Sequence, residues 1–161
     1  MPCPKCSVKP GFHSFIKFAK IGPAALFYTA PAATEDFNED GTKLANIKLH
    51  VAEETAAGPW IWVVDCANME LRHYTEFSFN TGLLGLLNDD PRLKEVWIVR
   101  PNIWIRTTIG FLQTFSSAKI LSSIKWFDGS NLELYTELLK TDLGIDKARW
   151  LIACGGRPLD V

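Results

Sequence analysis

Asp65, Cys66 and His73 are the residues whose types and order invite a reaction, because a thiol, an imidazole base and an orienting carboxylate together make a cysteine hydrolase. A quieter reading competes with it. Cys66 closes an apolar run, where free cysteine is usually a small core residue, and His50 and His73 are as much at home on a surface. No Gly-rich nucleophile turn accompanies the thiol, so no catalytic residue is assigned and the chain is expected not to be an enzyme. Cys3-x-x-Cys6 with His13 has the beginning of zinc-ligand spacing, but a structural zinc needs four ligands, and Cys66 or Cys154 would have to fold beside the pair to complete the set. A redox role is disfavoured because the pair does not follow the first strand of a thioredoxin-like unit. No metal or cofactor is therefore assigned. Gly82-x-x-Gly85 is not followed by Lys-Ser or Lys-Thr and falls within a helical pattern, so it reads as close helix packing rather than a phosphate loop.

Whatever positions these groups is expected to be one globular unit. The chain has 161 residues, 47% of them hydrophobic and 12% aromatic, enough for a single well-filled core. Its formal net charge of -1 gives none of the bulk attraction on which nucleic-acid binders depend. No apolar run reaches the length of a membrane-spanning helix, and the start, Met1-Pro-Cys-Pro-Lys-Cys6, lacks the apolar core of a secretory signal. Four cysteines are too few and too unevenly spaced for a disulfide framework. A cytoplasmic protein with reduced thiols is the expectation.

Residues 1–24, punctuated by proline and glycine, read as an irregular segment with one or two helical turns between Phe12 and Lys20; residues 25–161 read as the domain. Ala25 to Ala30 is expected to be a strand and Thr34 to Thr42 an acidic loop. Leu44 to Val51 alternates in a way that suits an edge strand, with a short helix as the alternative. Trp60 to Cys66 and Leu93 to Val99 are continuous apolar runs of the kind that form strands buried on both faces. Between them, Leu71 to Leu87 carries Tyr74, Phe77, Phe79, Leu83 and Leu84 at mostly helical spacing. Pro101 opens a second helix, Asn102 to Ser116, apolar around most of its circumference, and Ala118 to Ser123 continues helically. Ile124 to Phe127 is a third strand. Ser130-Asn-Leu-Glu133 is a capping box opening a helix to about Lys140. Ala148 to Ala153 reads as a final short strand or docking segment. This alternation implies an α/β fold with a mostly parallel central sheet and flanking helices.

The block from Leu93 through Val99-Arg-Pro101 to Phe111, Phe115 and Ser117, followed by Lys119-Ile-Leu-Ser-Ser-Ile-Lys-Trp126, resembles the second half of a CRAL-TRIO lipid-binding domain of the divergent, BCH-type branch. Pro59 to Met69 is similar to that family's central strand with its terminal Asp, and the resemblance spans about Ala25 to Gly156. It implies a sheet that floors an apolar pocket and a gate helix, Ile103 to Phe115, that admits a phospholipid or other lipid without covalent chemistry. The implied lining is Trp62, Val64, Phe77, Trp97, Val99, Trp104, Ile109, Phe111, Leu112 and Phe115. Arg72, Arg100, Arg106 and Lys119, with Lys125 nearby, are candidates for a basic rim that meets lipid headgroups or a membrane surface during transient contact. Trp104 and Phe111 are the candidates for touching a bilayer or a partner. The alternative implied by the same branch is an interaction scaffold, its pocket closed, that recognises small GTPases or their regulators.

Overall fold

The computed structural model describes residues 14–33, 43–73, 85, 88–112 and 121–155. Its framework is a five-stranded sheet in the order β1-β2-β3-β4-β5, with β1 at Ile16–Ile21, β2 at Ala24–Thr29, β3 at Trp60–Asp65, β4 at Leu93–Val99 and β5 at Ile124–Phe127. β1 runs antiparallel to β2, and the remaining pairs are parallel. The protein is thus α/β with a mostly parallel sheet, as the alternation of the sequence implies.

Two readings of the N-terminal third are decided, the first as a correction and the second in favour of its short-helix alternative. The Phe-rich piece expected to make helical turns is strand β1, so the stretch before residue 25 contributes an edge to the sheet. The cause is the two-residue connection Gly22-Pro23, in which Gly22 takes φ 53°, a left-handed conformation suited to glycine and to a tight hairpin. Lys17 and Lys20 lie exposed on this strand, in keeping with an edge that discourages further pairing. The segment suited to an edge strand is instead helix α1, Lys43–Glu54. His50 and Val51 are both buried, which a half-buried edge strand with one face to solvent would not give and a helix allows. The Thr55 hydroxyl donates to the Val51 carbonyl (2.7 Å) just beyond the helix end.

Helix α2 is Ile103–Leu112, within the expected span. The Asn102 side chain accepts from the Ile105 amide (3.1 Å) and donates to the Met69 carbonyl (3.4 Å), so the start of α2 is capped and tied to the loop after β3. Helix α3, Asn131–Leu139, opens with the expected capping box: Ser130 Oγ accepts from the Glu133 amide, and the Glu133 carboxylate accepts from the Ser130 amide at 2.7 Å. The last segment, Ile145–Cys154, is helix α4 and not a strand. Ala148, Leu151 and Ile152 recur at three- and four-residue spacing, and Gly155 at φ 51° ends it in the left-handed cap typical of helices.

Because β2 through β5 step across the sheet in one direction, right-handed crossovers put α1 and α2 on the same face. Val51 of α1 and Ile105 and Ile109 of α2 pack there, against Phe15, Phe27, Trp60, Trp62, Val64, Cys66, Val96 and Ile98. The opposite face is left to α3 and α4. Leu134, Leu138, Leu143, Ala148 and Leu151 close it over Phe18, Leu26, Tyr28, Ile61, Val63, Trp97, Val99 and Phe127.

Candidate functional site

The β3–β4 register decides which predicted lining residues can meet. Trp62 pairs with Val96, Val63 with Trp97, Val64 with Ile98 and Asp65 with Val99. Side chains alternate faces along each strand, so Trp62 and Val64 share the α2 face with Val96 and Ile98. Trp97 and Val99 belong to the other face, beneath α3 and α4, and cannot line the same pocket. That part of the expected lining is corrected. The hydrophobic runs showed that both strands are buried on two sides, but the pairing register fixes which residues lie together, and a continuous apolar run does not disclose it.

On the α2 face, Trp62 is only half-buried although it lies on the middle strand of the sheet, and its Nε1 donates to Thr29 Oγ1 at 2.8 Å. Ile109 is also half-buried and packs toward this face. Trp104 points away from it, 44% exposed, beside Ile103 at 69%. Phe77, Phe115 and Lys119 lie outside the described residues, as do the side chains of Arg72, Phe111 and Leu112. Helix α2 therefore carries apolar side chains toward the sheet and toward solvent at once. Beside it, Trp126 on β5 is 39% exposed, and the Arg106 guanidinium lies over its ring at 5.0 Å while pairing with Asp128 at 2.5 Å.

The expected basic rim is corrected in two places. Arg100 has a side chain 18% exposed and is committed inward: Nη1 donates to Asp65 Oδ2, and Nη2 donates to the carbonyls of Leu151 and Ile152 at 3.1 and 2.8 Å. Arg106 stays on the surface, but its charge is answered by Asp128. Lys125 is likewise paired, with Glu95 at 2.7 Å. Among the described residues, carboxylates answer the charges of Arg100, Arg106 and Lys125.

Asp65 is fully buried at the C-terminal end of the middle strand, the end at which open parallel sheets usually bind ligands. Its carboxylate accepts from Tyr28 Oη (2.8 Å), from Arg100 and from the Ala67 amide (3.1 Å). Tyr28 was not singled out in the sequence. A carboxylate ending a buried run must find hydrogen-bonding partners, and that need was the available signal. With its oxygens engaged in this way, Asp65 does not serve His73. The His73 Nδ1 accepts from the Glu70 amide at 2.8 Å, and the Cys66 thiol leans on the Val64 carbonyl at 3.9 Å. Burial, reinforced by the neighbouring Asp65 charge, pushes the Cys66 thiol up to about 12, so it is protonated at neutral pH.

A second arginine works at the opposite end of β4. Arg92 pairs with Asp90 at 3.0 Å and donates to the Thr55 carbonyl just past α1 (3.0 Å), while Asp90 also accepts from Trp60 Nε1 at 3.1 Å. Desolvation would raise the Asp90 carboxyl, but the hydrogen bonds from Arg92 and Trp60 outweigh it and hold the group below the ordinary carboxylate range. Among the described residues, no three His, Cys, Asp or Glu side chains gather as a metal site, and no helix is long and apolar enough to cross a membrane. Cys3, Cys6 and His13 lie outside the described residues.

The sheet and its two helical layers define the class: an α/β domain with an apolar helix over one sheet face and a satisfied polar cluster at the C-terminal edge. No family model matches the chain, and no curated protein matches it.

Proposed function

We propose that this chain is a non-catalytic, CRAL-TRIO-like binding domain that takes a phospholipid or other lipid between helix α2 and the sheet face carrying Trp62 and Val64. The observation that carries the reading is the half-buried Trp62 on the middle strand, on the face over which α2 packs Ile105 and Ile109. A helix with apolar residues on both its sides can exchange one apolar contact for another as it moves. Each methylene of an acyl chain buried there contributes about 0.8 kcal/mol. The protonated Cys66 thiol and the occupied Asp65 carboxylate fit a site that binds without reacting.

A specific observation favours a second reading. Val96 and Ile98 are buried by the chain's own side chains, while Ile103, Trp104 and Trp126 are exposed at the edge. A closed face with an apolar rim suits a protein-interaction domain of the BCH type, with a small GTPase or a regulator of one as partner. Extraction of natively purified protein with organic solvent, followed by mass spectrometry, separates the two. One lipid class at near-stoichiometric yield supports the first reading. A clean extract, repeated after incubation with mixed liposomes, rejects it in favour of the second.

A further inference from the structure

Helix α4 lies on its sheet face with five of its ten residues exposed. Of its ten residues, Ala148 and Leu151 are buried, and an alanine has little side chain to bury. Trp150 adds a stack on Phe18 at 4.9 Å and an edge contact with Tyr28 at 5.2 Å. Ile152 and Cys154 pack half-buried against the same core, and two strand-end loops add polar bonds. Arg100, directly after β4, donates to the carbonyls of Leu151 and Ile152, and Asn68, three residues past β3, donates through Nδ2 to the Gly155 carbonyl at 3.2 Å. Both donors hold left-handed backbone, at φ 53° for Arg100 and 60° for Asn68, a conformation that Asn adopts readily and Arg only when its surroundings enforce it. The Arg100 guanidinium also grips Asp65, so one side chain joins the middle of the sheet to the end of α4.

We infer that α4 is a latched cover: it lifts from the sheet as a unit smaller than the whole domain, and Arg100 and Asn68 form the latch that sets how often it does. Lifting uncovers the Phe18 and Tyr28 surface on the face opposite α2, so the latch is independent of the lipid-binding reading. Local opening of this kind follows where much of an element is exposed and polar bonds carry part of its attachment.

Hydrogen exchange on the full chain tests it. In Arg100→Lys the positive charge beside Asp65 remains, but an ammonium cannot span the carboxylate and both carbonyls as the guanidinium fork does. In the parent, amides of 148–154 are expected to exchange at least about ten-fold faster than those of 61–64 after correction for intrinsic rates, and with a weaker urea dependence, and Arg100→Lys is expected to speed the α4 amides about ten-fold further. Asn68→Gly keeps the left-handed backbone, removes only the side-chain donor, and is expected to speed the same α4 amides about three-fold. This second variant carries the test if Arg100→Lys does not fold. Equal protection and equal urea dependence of α4 and β3 amides in the parent would show that α4 leaves only with global unfolding and would overturn the inference. Unchanged α4 rates in the variants that fold would overturn it too.

Discussion

Replacing Asp65 with Asn removes a charge from the centre of the fold while changing its shape very little. The carboxylate is fully buried, accepts from Tyr28, Arg100 and the Ala67 amide, and faces a guanidinium whose side chain is only 18% exposed. Taking one member from such a pair leaves the other buried without its counter-charge, which costs about 3 kcal/mol or more. For a domain of this size that is a fall in Tm of roughly 6 to 12 °C. Arg100→Met strands the carboxylate instead and is expected to cost a similar amount. The double variant Asp65→Leu with Arg100→Met is expected to cost clearly less than the sum of the singles, because desolvation of the two ions is no longer required, although Tyr28 Oη and the carbonyls of Leu151 and Ile152 still lose their partners. Urea titrations, read as midpoint shifts at constant slope, measure all three. A cost for Asp65→Asn below about 1 kcal/mol, or a double variant as unstable as the sum of the singles, would refute the reasoning.

Ser130→Ala removes the acceptor that caps α3 and is expected to lower Tm by about 2 to 4 °C in a thermal melt. The Asp90 carboxyl is held below its ordinary value, so its contribution is present above the unfolded carboxylate pKa of about 3.9 and is lost as pH falls through the folded value. The urea-midpoint gap between the parent and Asp90→Asn is accordingly expected to be full at neutral pH and to close in strong acid; a gap independent of pH would contradict the assignment. Alkylation at neutral pH, mapped by peptide mass spectrometry, is expected to modify the half-buried Cys154 and leave Cys66 unmodified in the folded protein.

The strands and capped helices were legible where one local signal decided them. The apolar runs at Trp60 to Cys66 and Leu93 to Val99 are too short and too rich in β-branched and aromatic residues for much else, and Ser130 with Glu133 announces a helix start by its own chemistry. Strand β1 was missed because its edge position leaves it only partly buried and its identity depends on a partner beyond the Gly22-Pro23 turn. Helix α4 was misread because its apolar residues are few and close together, so a strand and a helix predict nearly the same pattern over so short a stretch. The site was legible in its parts and not in their grouping. Trp62, Val64 and Ile109 share one face, whereas Trp97 and Val99 lie on the other, and a one-residue difference in register separates those outcomes. Asp65 and Arg100 each drew attention alone; their pairing spans two strand ends and is a property of the parallel sheet.

That separation of faces supplies the most direct test of lipid binding beneath α2: titration with a dibrominated fatty acid, whose bromines quench tryptophan at contact, on the parent, Trp62→Phe and Trp97→Phe. Saturable quenching that is diminished in Trp62→Phe and preserved in Trp97→Phe is the predicted result. An absence of saturable quenching in the parent, or quenching that depends on Trp97 and not on Trp62, would contradict the account.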